Sequence, residues 1–346
     1  MLKLLSAVLA AGVLAAQQPS VSNANLQTAS AGAGLERAVQ AAMVKQPGPA
    51  WIGYAVPKIP GDHQACCWND NSRGCGLEGQ RGANFAAPAG PVKLEGPTHV
   101  AILFRVEQGN VGKIRSFSID CSLDAGGLPF HWVSDVKPSE SVALLLKYAT
   151  RSASTDNQKS EDAAVHAIAM HAAPESLAAL QNLATSSPSE KLRRSAIFWL
   201  ANSRGHQGYL VVGKVLREDA SDKVREHAIF CMTQSSDPEA VPSIIKAAKE
   251  DKSPHVRGQA LFWLAQKASK QATTAINDTL ANDPDTEVKK KAVFALTQMQ
   301  SGEGVPMLIQ VARNNPNPAV RKQAMFWLGQ SKDPRALRFF EDVLAK

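Results

Sequence analysis

The sequence predicts a mainly helical protein, an α-solenoid of six two-helix repeats over residues 157–346, preceded by a small β-containing domain. Three observations predict it. The stretch Ala196-Ile197-Phe198-Trp199-Leu200 returns at 228–232, 260–264, 292–296 and 324–328, each time 32 residues on, with a fainter copy at 164–168. Helix-capping residues recur in two columns sixteen residues apart. A third column, Leu192, Val224, Val256, Val288 and Val320, is followed four residues later by an invariably small Ala. Self-similarity at a fixed period of 20–50 residues marks stacked repeats, because one unit cannot bury its oily face alone.

Taken in order, Met1–Ala16 reads as a secretory signal: Lys3, then a short apolar run, then small residues at Ala15 and Ala16. The run is too short to cross a bilayer, which needs about 20 apolar residues. A periplasmic or secreted protein with no integral membrane segment after cleavage is therefore expected. Residues 17–33 read as a flexible lead-in, and 34–46 as a short helix with Leu35, Val39, Ala42 and Met43 on one face. Residues 47–150 read as a Cys-containing α+β domain. Its strands are expected at 51–56, 99–106, 111–119 and 130–133, with a turn at Gln108-Gly109-Asn110. Residues 61–90 read as loop, and Ser139–Tyr148 as a helix started by Pro138. His131 beside Trp132 reads as part of a packed aromatic strand.

The chain has 346 residues, 44% of them hydrophobic and 20% charged. That excludes a disordered polyelectrolyte. The net charge of +7 is spread along the chain. It favours anionic surfaces slightly, but a nucleic-acid binder carries a sharper basic stripe. Of five Cys, four lie in the N-terminal part, and an exported chain permits disulfides. Four Cys allow three pairings. Adjacent Cys66 and Cys67 rarely bridge each other, so they are expected to reach Cys75 and Cys121. The spacing of His63, Cys66, Cys67 and Cys75 lacks the paired C-x-x-C of structural zinc sites, so neither metal nor cofactor is expected. Cys231 reads as a buried, inert thiol.

Within the repeats, Asn157, Ser189, Ser221, Ser253, Asp285 and Asn317 read as N-caps of the first helices. Gly205, Asp237, Ser269, Ser301 and Asp333 read as caps of the second helices. Phe198, Phe230, Phe262, Phe294 and Phe326 form an aromatic column, with Trp199, Trp263 and Trp327 beside it in alternate repeats. Stacking in the core between repeats is the expectation for it. Arg193, Arg225, Arg257, Lys289 and Arg321 oppose the helix dipole in the first turn. They are expected to form part-exposed bridges to the column Asp219, Asp251, Asp283 and Asn315. Asn202, Gln234, Gln266, Gln298 and Gln330 form an amide column, which reads as a structural ladder too.

The pattern cap–x–x–Val–Arg–x–x–Ala, as in Ser253–Ala260, and Asp-Pro-Glu-Ala-Val-Pro at 237–242 resemble HEAT repeats of the bacterial short type grouped with phycobilin-lyase repeats. The resemblance covers about 157–346 and implies nothing for 17–150. The first repeat departs from it, with Ser160 and Glu161 in place of Val and Arg. The resemblance implies a right-handed solenoid that binds a protein or peptide partner on an extended surface. It implies an inner face lined by second helices, where Tyr209, Arg217, Lys249 and Arg313 are the partner-binding candidates and Met307 a further contact. Deoxyhypusine hydroxylases resemble this fold and hold iron through His-Glu pairs, and no His-Glu dipeptide occurs here. A non-enzymatic exported scaffold is the reading, with no nucleic-acid partner. The alternatives are a ligand-binding or catalytic N-terminal domain with the solenoid as accessory, or a HEAT-like lyase.

Overall fold

The structure, a computed structural model, describes residues 18–61, 66–69, 72–79, 98–151, 158–267, 270–299 and 302–345. The expected signal, His63, and the cap positions Asn157, Ser269 and Ser301 lie outside the described residues. Contacts divide the chain into two compact units, 1–176 and 177–346.

Among the described residues the first unit has nine strands: β1 Val21–Ser22, β2 Asn25–Ser30, β3 Ala50–Pro57, β4 Trp68–Asn69, β5 Ser72–Gly76, β6 His99–Glu107, β7 Asn110–Ser118, β8 Ser122–Asp124 and β9 Pro129–Ser134. The helices described with them are α1 Leu35–Lys45, α2 Pro138–Ala149 and α3 Gln158–Met170. The main sheet has the order β2-β9-β3-β6-β7. Its β6–β7 hairpin turns at Gln108 and Gly109, both at positive φ (51° and 72°), the geometry of the tight hairpin turn.

The side chains alternate by face. Trp51, Ala101, Leu103, Phe117, Phe130 and Trp132 point to one core, together with Cys75, Cys121 and Leu123. Gly53 sits against the faces of Leu103 and Trp132, where a Cβ has no room. The opposite face carries Tyr54 and Phe104, with Tyr148 of α2 5.4 Å from the Phe104 ring.

Two expectations change here. The lead-in is not free, since β2 pairs in parallel with β9 over Asn25–Ser30. All six of its residues are exposed, so no apolar alternation announced this edge strand. The stretch 61–90 is not all loop. Short strands β4 and β5 form in it, and β5 pairs with β8 in a second sheet of order β1-β8-β5-β4.

α3, counted from sequence as the opening helix of the repeats, is part of the first unit. The Ile59 amide donates to the Met170 carbonyl, the Ala172 amide to the Pro57 carbonyl, and the Ser160 hydroxyl to the Gly112 carbonyl. The boundary falls after Ser176 rather than between 150 and 157.

The second unit is helical throughout its described residues. α4 Pro174–Ser186, which starts at the boundary, is followed by first and second helices in turn. These are α5 Glu190–Ser203, α6 Gly205–Glu218, α7 Asp222–Gln234, α8 Ala240–Glu250, α9 Pro254–Gln266, α10 Lys270–Asn282, α11 Thr286–Thr297, α12 Gly304–Asn314, α13 Pro318–Gln330 and α14 Pro334–Leu344. Ala and the residue after it are buried in every first helix from α5 to α11, as is the Leu or Met four residues beyond Ala. Among the described residues no helix is long and apolar enough to cross a membrane.

Candidate functional site

Counted from its cap, each first helix from α5 to α11 turns positions 3, 4, 7, 8 and 11 inward, the i, i+4 rows of one face. Position 4 is the cation. Arg225 Nε and Nη2 grip the Asp251 carboxylate at 2.9 and 3.0 Å, while Nη1 donates to the Asp219 carbonyl at 2.8 Å. Arg193 and Arg257 repeat this with Asp219 and Asp283, Nε to carboxylate at 2.8 and 2.9 Å. Each acid also caps its own loop, as where Asp251 accepts from the Ser253 amide at 2.8 Å. The ladder runs both within and between repeats. Two rungs are not part-exposed as expected, Arg225 at 1% and Arg257 at 7%, while Arg193, Lys289 and Arg321 are half-buried. At the next rung the pair changes together. Lys289 donates to the Ala281 carbonyl at 3.0 Å, and buried Asn315 stands in the acid column and donates to Leu280. No carboxylate is buried without its cation there. Arg321 donates to the Asn315 carbonyl at 2.8 Å.

The caps hold in part. Ser189, Asp285, Asn317 and Asp333 accept from helix amides. Ser221 and Ser253 stand at caps without capping. The Ser253 hydroxyl turns instead to Asp222 of the previous repeat at 2.5 Å. Gly205 is the first residue of α6 rather than its cap.

Position 9 is the Phe column, and it is not core. Phe198, Phe230, Phe262 and Phe294 are half-buried, and Phe326 is 55% exposed. The cause is angular: position 9 stands 200° around the helix from the buried Ala at position 7. The rings form a connected run along the repeats. Phe230 lies 5.2 Å from Trp263, Trp263 5.2 Å from Phe262, Phe262 6.3 Å from Phe294, Phe294 5.2 Å from Trp327, and Trp327 5.1 Å from Phe326. Phe198 meets Trp199 edge-on at 5.1 Å. Trp263 and Trp327 each reach back to a Phe whose neighbour is small, Cys231 or Ala295, which explains the alternation. Positions 2, 5 and 6 share this face. They carry Lys191, Arg194, Lys223, Lys290, Lys291 and Lys322 against only Glu226 and Glu287. Those two acids are engaged by His255 at 2.6 Å and Lys290 at 2.9 Å. The amide column lies one turn further on, where Asn202 donates to the Phe198 carbonyl and Gln234 and Gln298 to neighbouring Thr hydroxyls.

The second-helix candidates separate. Lys249 pairs with Asp278 at 2.5 Å and Arg313 with Asp342 at 3.2 Å, each 29 residues ahead. Arg313 also lies over the Phe339 ring at 5.4 Å. These two are bridges between repeats. Arg217 is exposed and has no carboxylate within ion-pair distance among the described residues. It lines a cleft of about 360 Å³ between α6 and α8. Tyr209 is half-buried, its hydroxyl 2.9 Å from that of Ser243 on the cleft wall. Met307 is half-buried.

In the first unit, Cys66 bridges Cys121 and Cys67 bridges Cys75, one of the pairings left open by the sequence. The sulfurs of Cys66, Cys75 and Cys121 lie within 4.8 Å of one another. All are committed to disulfides and have no thiolate to offer a metal. His131 is buried at 5% exposure in the sheet, and burial lowers its pKa, as does Lys45. A Ser–His pair that sequence reasoning missed is fully buried. His171 Nδ1 donates to the Ala167 carbonyl at 2.7 Å, which leaves Nε2 to accept from Ser141 at 2.8 Å. The Ser141 oxygen in turn accepts from Tyr54 at 2.7 Å. Burial raises the Tyr54 pKa, and the relay ties α2 and the residue that follows α3 to the sheet. Cys231 is buried, and burial pushes its thiol up to about 12. A thiol reagent at mildly alkaline pH should leave Cys231 untouched in the native protein and label it only on unfolding, and fast native labelling would contradict this burial.

The family described as HEAT repeats matches residues 210–276 and 273–346. No curated protein sequence matches the chain. Among solved structures, human deoxyhypusine hydroxylase in complex with glycerol is 16% identical, covers 59% of this chain and 90% of its own, and has a TM-score of 0.26. The complex of CpcE and CpcF of phycocyanin lyase from Nostoc sp. PCC7120 is 20% identical, covers 56% of this chain and 77% of its own, and has a TM-score of 0.32. Neither likeness carries an argument about chemistry.

Proposed function

We propose, from the premise that residues 210–346 are HEAT repeats, that this is an exported, non-enzymatic scaffold. Its first helices would hold an extended acidic segment of a partner protein. The observation that carries the reading is the half-exposed aromatic run with its surplus of cations. A connected apolar stripe left in water marks an interaction surface, and Phe and Trp beside Lys and Arg suit acidic residues interspersed with apolar ones. Export is supported by the two disulfides, which persist in oxidising compartments.

Trp199, Trp263 and Trp327 provide the readout. An acidic, leucine-containing peptide should change their fluorescence, with binding weakened by salt, while a basic peptide of equal length should not. Phe230→Ser with Phe262→Ser should weaken that binding at least about tenfold, as expected for central aromatic anchors. Equal binding of both peptides, or an undiminished response in the double variant, rejects the stripe as the contact surface.

A further inference from the structure

Two second helices share a pairing that α6 lacks although it carries the cation. Lys249 and Arg313 each meet an acid 29 residues ahead, Asp278 and Asp342. The residue 29 ahead of Arg217 is Lys246, another cation. At the same place the wall recedes. The slot held by Ile245, Asn277 and Ile309 in later repeats is Gly213 in α6. A Cβ there would stand 3.3 Å from Arg217 Nη1 and 3.5 Å from Met232 Cε. The two departures open the cleft between α6 and α8, of about 360 Å³, at the small end of ligand cavities.

Its apolar wall is Gly213, Leu216 and Ala247, and its cations are Arg217, Arg225, Lys246 and Lys252. The acids on the lining are occupied. Asp251 is gripped by Arg225, and Glu250 faces Lys246 at 3.8 Å. Arg217 is left without a carboxylate partner among the described residues, while Lys252 lies close enough to Asp222 to help lower its pKa. Arg217 presents a planar fork that matches a carboxylate. Ser243, held by Tyr209, adds a hydroxyl at the edge.

We infer that this cleft is a carboxylate site that takes a single carboxylate on a short apolar stem. The carboxylate lies against Arg217, and the stem runs over Gly213, Leu216 and Ala247. A planar fork beside the apolar strip of Gly213, Leu216 and Ala247, with Glu250 at the edge, favours a monoanion with a stem over a bare phosphate. The inference is independent of the aromatic stripe, which lies on the first helices. A free aliphatic acid and the C-terminus of a peptide ending in Leu both present this chemistry to the cleft.

The test is titration of the full chain with octanoate, with a peptide ending in Leu as the free acid and as its amide, and with inorganic phosphate. Saturable binding of octanoate, of the acid-ended peptide or of both is expected, and which of them binds identifies the source. The amide and phosphate should not compete. Arg217→Gln should weaken binding about tenfold or more. Gly213→Ile installs the residue that later repeats carry, and it should abolish binding while thermal unfolding stays within a few degrees of the parent. A Gly213→Ile protein that fails to fold leaves Arg217→Gln to decide. Phosphate binding as well as the acids, no binding of any probe, or unchanged acid binding in Arg217→Gln overturns the inference.

Discussion

Arg225→Ala should cost about 3–5 kcal/mol of stability, the scale for removing one partner of a buried ion pair. The side chain is 1% exposed, and its loss orphans more than one group. The Asp251 carboxylate, itself nearly covered, loses two charge-assisted bonds, and the Asp219 carbonyl loses its donor. The desolvation of Asp251 then stands uncompensated. Phe262→Ala should cost less, because a half-exposed ring has already kept part of its surface in water. Lys289→Ala should also cost less, since its rung carries Asn315 and no buried carboxylate. Denaturant unfolding of the full chain and the three variants gives the ranking. Because repeats couple mainly to neighbours, Arg225→Ala should also broaden or split the transition of the helical unit. A ranking with Phe262→Ala as the most damaging of the three would show that the aromatic run, not the ion ladder, holds the stack together.

That ranking reverses the one suggested by the letters alone, and the reason is geometric. The 32-residue period, both helices of each repeat and the cation–acid pairing were legible, because capping chemistry and the spacing of Val and Ala write them directly. The depth of each column was legible only by counting angles. Phe262 is two residues past Ala260, so the two cannot share a helical face. A large apolar letter at every period invites a core reading, which rotation forbids. The buried face belongs to Leu261 and Leu264. β2 was not legible because an exposed edge strand has no apolar alternation, and α3 was misassigned because its partners, Pro57 and Gly112, are distant in sequence. The cleft at Arg217 was half legible. The cation column was visible, and the missing acid at 246 and missing side chain at 213 are in the sequence too. Only the packing of α6 on α8 shows that the two gaps coincide.

Reducing the disulfides should destabilise the first unit by about 4 kcal/mol for Cys66–Cys121 alone, on the chain-entropy account of a cross-link closing a span of 55 residues. The shorter Cys67–Cys75 bridge, with a separation of 8, should contribute about 2–3 kcal/mol. The two spans are nested, so the effects will not simply add. The need for them follows from the elements they join. The second sheet is built of strands two to five residues long, too short to be stable by themselves. Cys75 and Cys121 sit fully buried in the core of Trp51, Phe130 and Trp132, so breaking the bridges loosens that core as well as the loop. The described part of the second unit has no disulfide, and its Cys231 is a free thiol. Hydrogen exchange with and without a thiol reductant separates the two units. Protection should fall across β5, β8 and β9 and stay unchanged over α5–α13. Unchanged exchange in β5 and β8 under full reduction would mean that these short strands are held by side-chain packing alone, and loss of protection in α5–α13 would mean that the helical unit draws its stability from the first.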